Sequence, residues 1–201
     1  MGRLPALLAA TALVLAGCGD EAPSGDQGFH GAVLDQPYVV PDATLTDTEG
    51  EPYSLTSDTD RPLTLVFFGY TNCPDICQVV MSSLASALTR LDEQDREQVD
   101  VVFVTTDPAR DDPRALRTYL DRYDPSFIGL TGDLDTIIEI GKPLAVAVEK
   151  GDRLPSGGYE VSHSTQVTAI DETDRVPMLW TQGTPSPDFA EDIHRLLESG
   201  T

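Results

Sequence analysis

The chain reads as a single α/β domain built on a mixed central sheet. Two observations carry that reading. In the first half, strands that are apolar at nearly every position alternate with amphipathic helices; later, a strand pair at 165–181 precedes the last helix. From about Gln36 to Ser199 the chain has an ordinary size for one domain with one core, and it contains no internal repeat.

Each element has its own signal. Residues 38–56, YVVPDATLTDTEGEPYSLT, place two alternating runs around Asp47-Thr-Glu-Gly50 and predict an N-terminal β-hairpin. LTLVFF at 63–68 predicts a strand buried on both faces. A helix from Pro74 to about Leu91 sets Ile76, Val79, Val80, Leu84, Ala87, Leu88 and Leu91 on one stripe. VDVVFVTTD at 99–107 is a second buried strand. The helix at 111–123 opens with Asp112 as N-cap and Pro113 in the first position, and buries Leu116, Tyr119, Leu120 and Tyr123. A short strand or turn at 127–132 leads into a helix at 133–144 that ends near Gly141-Lys-Pro143. AVAVEK, TQVTAID and VPMLWT read as strands, and SPDFAEDIHRLLES at 186–199 as the closing helix.

The N-terminus carries a different kind of information. Residues 1–18 hold one basic residue, an apolar stretch from Leu4 to Ala16 and small residues leading into Cys18, which is the pattern of an export signal too short to remain as a spanning helix. Leu15-Ala16-Gly17-Cys18 looks like a bacterial lipobox. That makes Cys18 a lipid anchor, and the expected location is the outer face of the bacterial cytoplasmic membrane. Residues 19–35 are rich in Gly, Asp, Ser and Pro and read as a flexible tether, leaving 36–199 as the folded domain, expected to be a monomer. A formal charge of −21 with only 13 basic residues argues against nucleic acid and anionic lipid as partners, since both need clustered Lys and Arg.

With Cys18 assigned to the anchor, Cys73 and Cys77 are the remaining cysteines, too few for a disulfide framework. Cys73 ends a buried strand and precedes Pro74, so it falls where a helix begins and where free N–H groups and the helix dipole favour a thiolate. Cys77 lies four positions on, one helical turn away and on the same face. The two sulfurs can form a disulfide or bind one ion. Two inert buried cysteines are the plainer alternative, but that leaves their position on a strand-to-helix turn unexplained.

Three histidines are available. His30 belongs to the tether, and His194 reads as a solvated helix residue. His163 ends the Gly-rich stretch GDRLPSGGYEVSH and precedes a strand, which places it at the sheet rim. A histidine there is more often structural than a ligand, so both readings stand. Two thiolates and an imidazole would suit copper through a change between Cu(I) and Cu(II). Zinc is disfavoured because its structural sites want four protein ligands. Met81, one turn beyond Cys77, is a possible fourth donor whose commoner role is core packing.

FFGYTNCPDIC at 67–77, VTTDPARDDP at 104–113 and VSHSTQVTAID at 161–171 together resemble the Sco/SenC family of membrane-tethered, thioredoxin-like proteins. Where many family members have Pro after the second cysteine, Asp before the histidine and an aromatic in the following strand, this chain has Gln78, Ser162 and Thr168. The resemblance implies a thioredoxin-like fold and copper held by Cys73, Cys77 and His163. It also implies a metallochaperone that delivers copper for the CuA centre of cytochrome c oxidase, its partner being the copper-receiving oxidase subunit. The alternative is a thiol-disulfide oxidoreductase in which Cys73 attacks and Cys77 resolves, keeping that subunit's cysteines reduced. Against it, thioredoxin-type reductases place a cis-proline where this chain has Ser162-His163-Ser164, and Pro155 is too far back. Asp107 and Arg110, at the carboxyl end of the second buried strand, are expected to support the cysteine turn or a partner contact rather than to bind metal.

Overall fold

The structure, a computed structural model, describes residues 28–59, 61–153 and 159–200. In chain order the elements are β1 (Ala32–Val39), β2 (Thr44–Thr46), β3 (Pro52–Ser54), β4 (Leu63–Gly69), α1 (Ile76–Leu88), α2 (Glu93–Arg96), β5 (Val99–Thr105), α3 (Pro113–Leu120), β6 (Ile128–Leu130), α4 (Leu134–Gly141), β7 (Val148–Arg153), β8 (Tyr159–His163), β9 (Val167–Asp171), β10 (Arg175–Trp180) and α5 (Ser186–Ser199).

One six-stranded sheet runs β1-β10-β9-β4-β5-β6. β4, β5 and β6 are parallel, while β9, β10 and β1 join antiparallel, so the sheet is mixed as expected. β4 shows why its sequence is apolar throughout. Leu63, Leu65 and Phe67 face a layer formed by α1, α3 and α5, and Val66 and Phe68 face α4 and the β2–β3 hairpin. Every residue of the strand is buried, and its carboxyl end delivers the cysteine turn.

The predicted hairpin is present as β2–β3, with Gly50 at φ 89 in its turn, where a side chain would be strained. The helix expected from Pro74 begins at Ile76, because Asp75 rather than Cys73 caps it by accepting from the Ile76 N–H. On that helix Val79, read as part of the buried stripe, is 53% exposed, whereas Met81 is fully buried and packs in the core.

Two further differences concern segments read as loop. Residues 28–35, placed in the tether by composition, are seen packed on the domain: β1 pairs with β10, and buried Asp192 accepts from the His30 and Gly31 N–H groups and from Trp180 Nε1. A polar stretch with little to bury is thus held by main-chain donors and one buried carboxylate. The Gly-rich stretch before His163 ends in β8, which pairs with β7 in a hairpin separate from the main sheet, Val148 opposite His163. The short helix α2 carried no periodic signal. The signal segment, Cys18, residues 19–27 and Pro155 lie outside the described residues.

Candidate metal centre

The turn from β4 to α1 is built by the backbone before any side chain is considered. The Cys73 N–H donates to the Tyr70 carbonyl at 3.1 Å, and Gln78 Nε2 reaches the Cys73 carbonyl at 3.4 Å. Gln78 stands where many family members have proline, which could not make this contact. The Cys77 N–H points at Cys73 Sγ, 3.3 Å away, so the first sulfur receives a main-chain donor at the helix start. Cys73 is 7% exposed and Cys77 is fully buried. Gly69 allows this closeness: a Cβ there would lie 2.9 Å from the Phe67 and Phe103 rings and 3.1 Å from Cys77 Sγ.

His163 arrives from the other side. Its Nδ1 lies 2.8 Å from the Ser164 carbonyl, which can only accept, so Nδ1 carries the proton and Nε2 keeps its lone pair. Nε2 faces Cys77 Sγ at 3.8 Å. The imidazole stands edge-on between Tyr70 and Phe67, with ring centroids 5.7 and 6.2 Å away. Burial pushes its pKa down, which keeps the ring neutral, the form a metal requires. One donor atom each from Cys73, Cys77 and His163 falls within a mutual 4.8 Å. The set is two soft sulfurs and one borderline nitrogen, which fits copper, and Met81 stays in the core.

Burial also raises the Cys77 thiol far above its ordinary value, with the neighbouring Cys73 adding to the effect. A thiol so placed gives up its proton readily only when a cation is there to receive the negative charge.

Of the two supporting residues expected, Asp107 is fully buried and ion-pairs with Arg110 within the turn between β5 and α3. Neither belongs to the three-donor cluster. The residue that grips the cysteine turn is Asp111, which the sequence reading passed over. It is fully buried and accepts from the Thr71 N–H at 2.8 Å and from the hydroxyls of Thr71 and Thr105 at 2.5 and 2.7 Å. The one available signal was its place in a run of turn-forming aspartates, Asp107, Asp111 and Asp112, which does not say which of them points inward. The other two histidines lie elsewhere: His194 Nδ1 sits 2.7 Å from Asp95, and His30 Nε2 lies 3.2 Å from Glu191.

Comparison with known proteins places this geometry. The family profile described as SCO1/SenC matches residues 32–198. A Stutzerimonas stutzeri protein whose name describes it as copper-binding is 35% identical over 147 residues, covering 69% of this chain and 71% of its own. Protein SCO2 of Saccharomyces cerevisiae mitochondria is 34% identical over 128 residues, 63% of this chain and 42% of that protein. Among solved structures, apo Sco1 from Thermus thermophilus superposes with a TM-score of 0.76 at 29% identity, covering 87% of this chain and 99% of the other. Yeast Sco1 with copper bound gives 0.74 at 26% identity, over 81% of this chain and 90% of the other. Among the described residues no helix is long and apolar enough to cross a membrane. With a matching profile over most of its length and a thioredoxin-like fold shared with these structures, the chain belongs to the SCO1/SenC family.

Proposed function

We propose that the chain takes up copper at Cys73, Cys77 and His163 and hands it to the copper-receiving subunit of a membrane cytochrome oxidase, for assembly of its CuA centre. The observation that carries this reading is the convergence of three donors of the right softness within 4.8 Å, one of them a buried thiol that a cation would deprotonate. Copper held in the solved yeast relative supports it. Three protein donors leave copper a position through which a recipient's ligand begins exchange, which suits delivery better than storage. In this reading the domain is a monomer outside the bacterial cytoplasmic membrane, tethered by lipid on Cys18.

Titrating the reduced protein with Cu(I) and Cu(II), followed by absorption spectroscopy, tests the proposal. One copper binds per chain; Cys73→Ser and Cys77→Ser abolish the thiolate absorption, and His163→Ala weakens Cu(II) about tenfold or more while Cu(I) changes less. Equal Cu(II) affinity in wild type and His163→Ala would instead favour the thiol-disulfide reading.

That second reading has one observation in its favour, the main-chain donor aimed at the more exposed sulfur, Cys73. Cys73 thiolate would attack a partner disulfide and release one partner thiolate; Cys77 would then displace the other, leaving a Cys73–Cys77 disulfide and a partner reduced by two electrons. The burial that raises the Cys77 thiol slows the second step and favours copper.

A further inference from the structure

Beside the cysteine turn lies an open cleft of about 490 Å³ whose rim carries Arg110, Arg114 and Arg122, with Tyr119 in its wall and Thr71 and Asn72 at one end. Asn72 directly precedes Cys73, so the cleft adjoins the donor cluster along the chain. Arg114, Thr118 and Arg122 recur every four residues along α3 and the turn after it, which stacks them on one side. Arg110 is engaged by Asp107, and Asp112, also on the rim, accepts from the Ala115 N–H. The guanidinium groups of Arg114 and Arg122 make no ion pair or hydrogen bond among the described residues, and both are exposed.

Such a cluster stands out in a chain with 34 acidic and 13 basic residues. Most of this surface repels an acidic protein, and the cleft is where one can approach closely.

We propose that the Arg114–Arg122 cleft is a docking surface for an acidic polypeptide segment of the protein that exchanges copper with the site. The proposal rests on the copper-delivery reading for its purpose, though not for its binding. Seated there, carboxylates would engage the two guanidinium groups and hold the partner's own ligands next to Cys73, so that transfer proceeds within a docked pair. The arginines serve encounter and orientation and hold no copper.

The test uses the full chain, copper-free, and a fluorescein-labelled decaglutamate peptide followed by fluorescence anisotropy, with decaglutamine as the neutral control. Decaglutamate binds at low ionic strength, and its affinity falls as salt rises. Arg114→Glu with Arg122→Glu weakens it about tenfold or more, Arg114→Gln with Arg122→Gln weakens it less, and Lys142→Glu, a charge reversal on an exposed residue outside the cleft, changes it by less than about twofold. Copper titrations of the same variants match wild type, which shows that they fold. Equal weakening by Lys142→Glu, binding untouched by the double reversal, or displacement of the peptide by micromolar inorganic phosphate would each overturn the proposal, the last by assigning the cleft to a small anion. A wild type that bound decaglutamate as expected and took up no copper would refute the delivery reading and leave the docking surface standing.

Discussion

The two halves of the donor cluster reach the same point by unlike routes. The sulfurs sit on a strand-to-helix turn that continues the central strand of the sheet, gripped from below by buried Asp111. The imidazole sits at the end of a two-stranded hairpin outside that sheet, tied down by Ser164, whose N–H and hydroxyl meet the Ala147 carbonyl and N–H at 3.0 Å each. The difference teaches where rigidity and where adjustability reside. The sulfurs are pre-positioned by the core of the fold, while the nitrogen is held by a few local bonds, and under the proposed function it is the donor expected to shift more easily as copper changes oxidation state or leaves.

The sharpest way to break this contrast is at Asp111. Asp111→Ala removes a buried carboxylate that accepts three hydrogen bonds and should cost about 2–4 kcal/mol in stability. It also loosens the turn at Thr71, so affinity for Cu(I), which depends on both sulfurs, falls more than the His163-dependent preference for Cu(II). Urea unfolding and metal titration of the one variant measure both. If copper affinity held while stability fell, the turn would be braced by something other than this carboxylate.

Gly69→Ala asks a smaller question of the same half. The added methyl meets two core rings and Cys77 Sγ, and the cost should be about 1–3 kcal/mol. Because the crowding reaches a sulfur, alkylation of the cysteines in the copper-free protein should quicken as Cys77 is pushed from its buried seat. A stable variant with unchanged thiol reactivity would show that the rings yield instead.

The same division explains what could be read from the chain. The cysteine turn was legible because its signals are local: a run buried on both faces, a proline, and two cysteines four apart on a helical stripe. The hairpin carrying His163 was not, since Tyr159–His163 alternates over only five residues directly after glycines that read as loop, and its pairing with β7 joins strands on either side of that Gly-rich stretch. Asp107 and Arg110 were picked from turn chemistry that Asp111 and Asp112 share; Asp107 and Asp111 are both buried, and it takes the assembled sheet to show that Asp111 is the carboxylate bonded to Thr71 in the cysteine turn. Residues 28–35 were read as tether from composition, and their attachment depends on Asp192 in the last helix, more than 150 positions away. Gln78 was visible as a departure from the family pattern, but its contact with the Cys73 carbonyl could be read only once the turn was built.

A pH series separates the histidine of the cluster from those elsewhere. Burial lowers the His163 pKa, so below about pH 6.5, the ordinary histidine value, the unfolded chain takes a proton that the folded chain refuses. Stability therefore falls on acidification through that window. His194 behaves oppositely, since its hydrogen bond to Asp95 raises its pKa. The contribution of that pair is complete below about pH 6.5, where folded and unfolded chains both carry the proton, and is lost as pH rises through the folded value. His30, raised chiefly by Glu191, adds to the same loss on the alkaline side. Thermal unfolding of the copper-free protein from about pH 5 to 8 should show His163→Gln flattening the acid limb alone and His194→Gln the upper limb alone. If His163→Gln shifted the midpoint equally at every pH, packing between Tyr70 and Phe67 would account for the whole effect, and the imidazole would not be held neutral by burial. The acid limb thus reports on the donor set without metal present, from the half of the cluster that the fold holds less firmly.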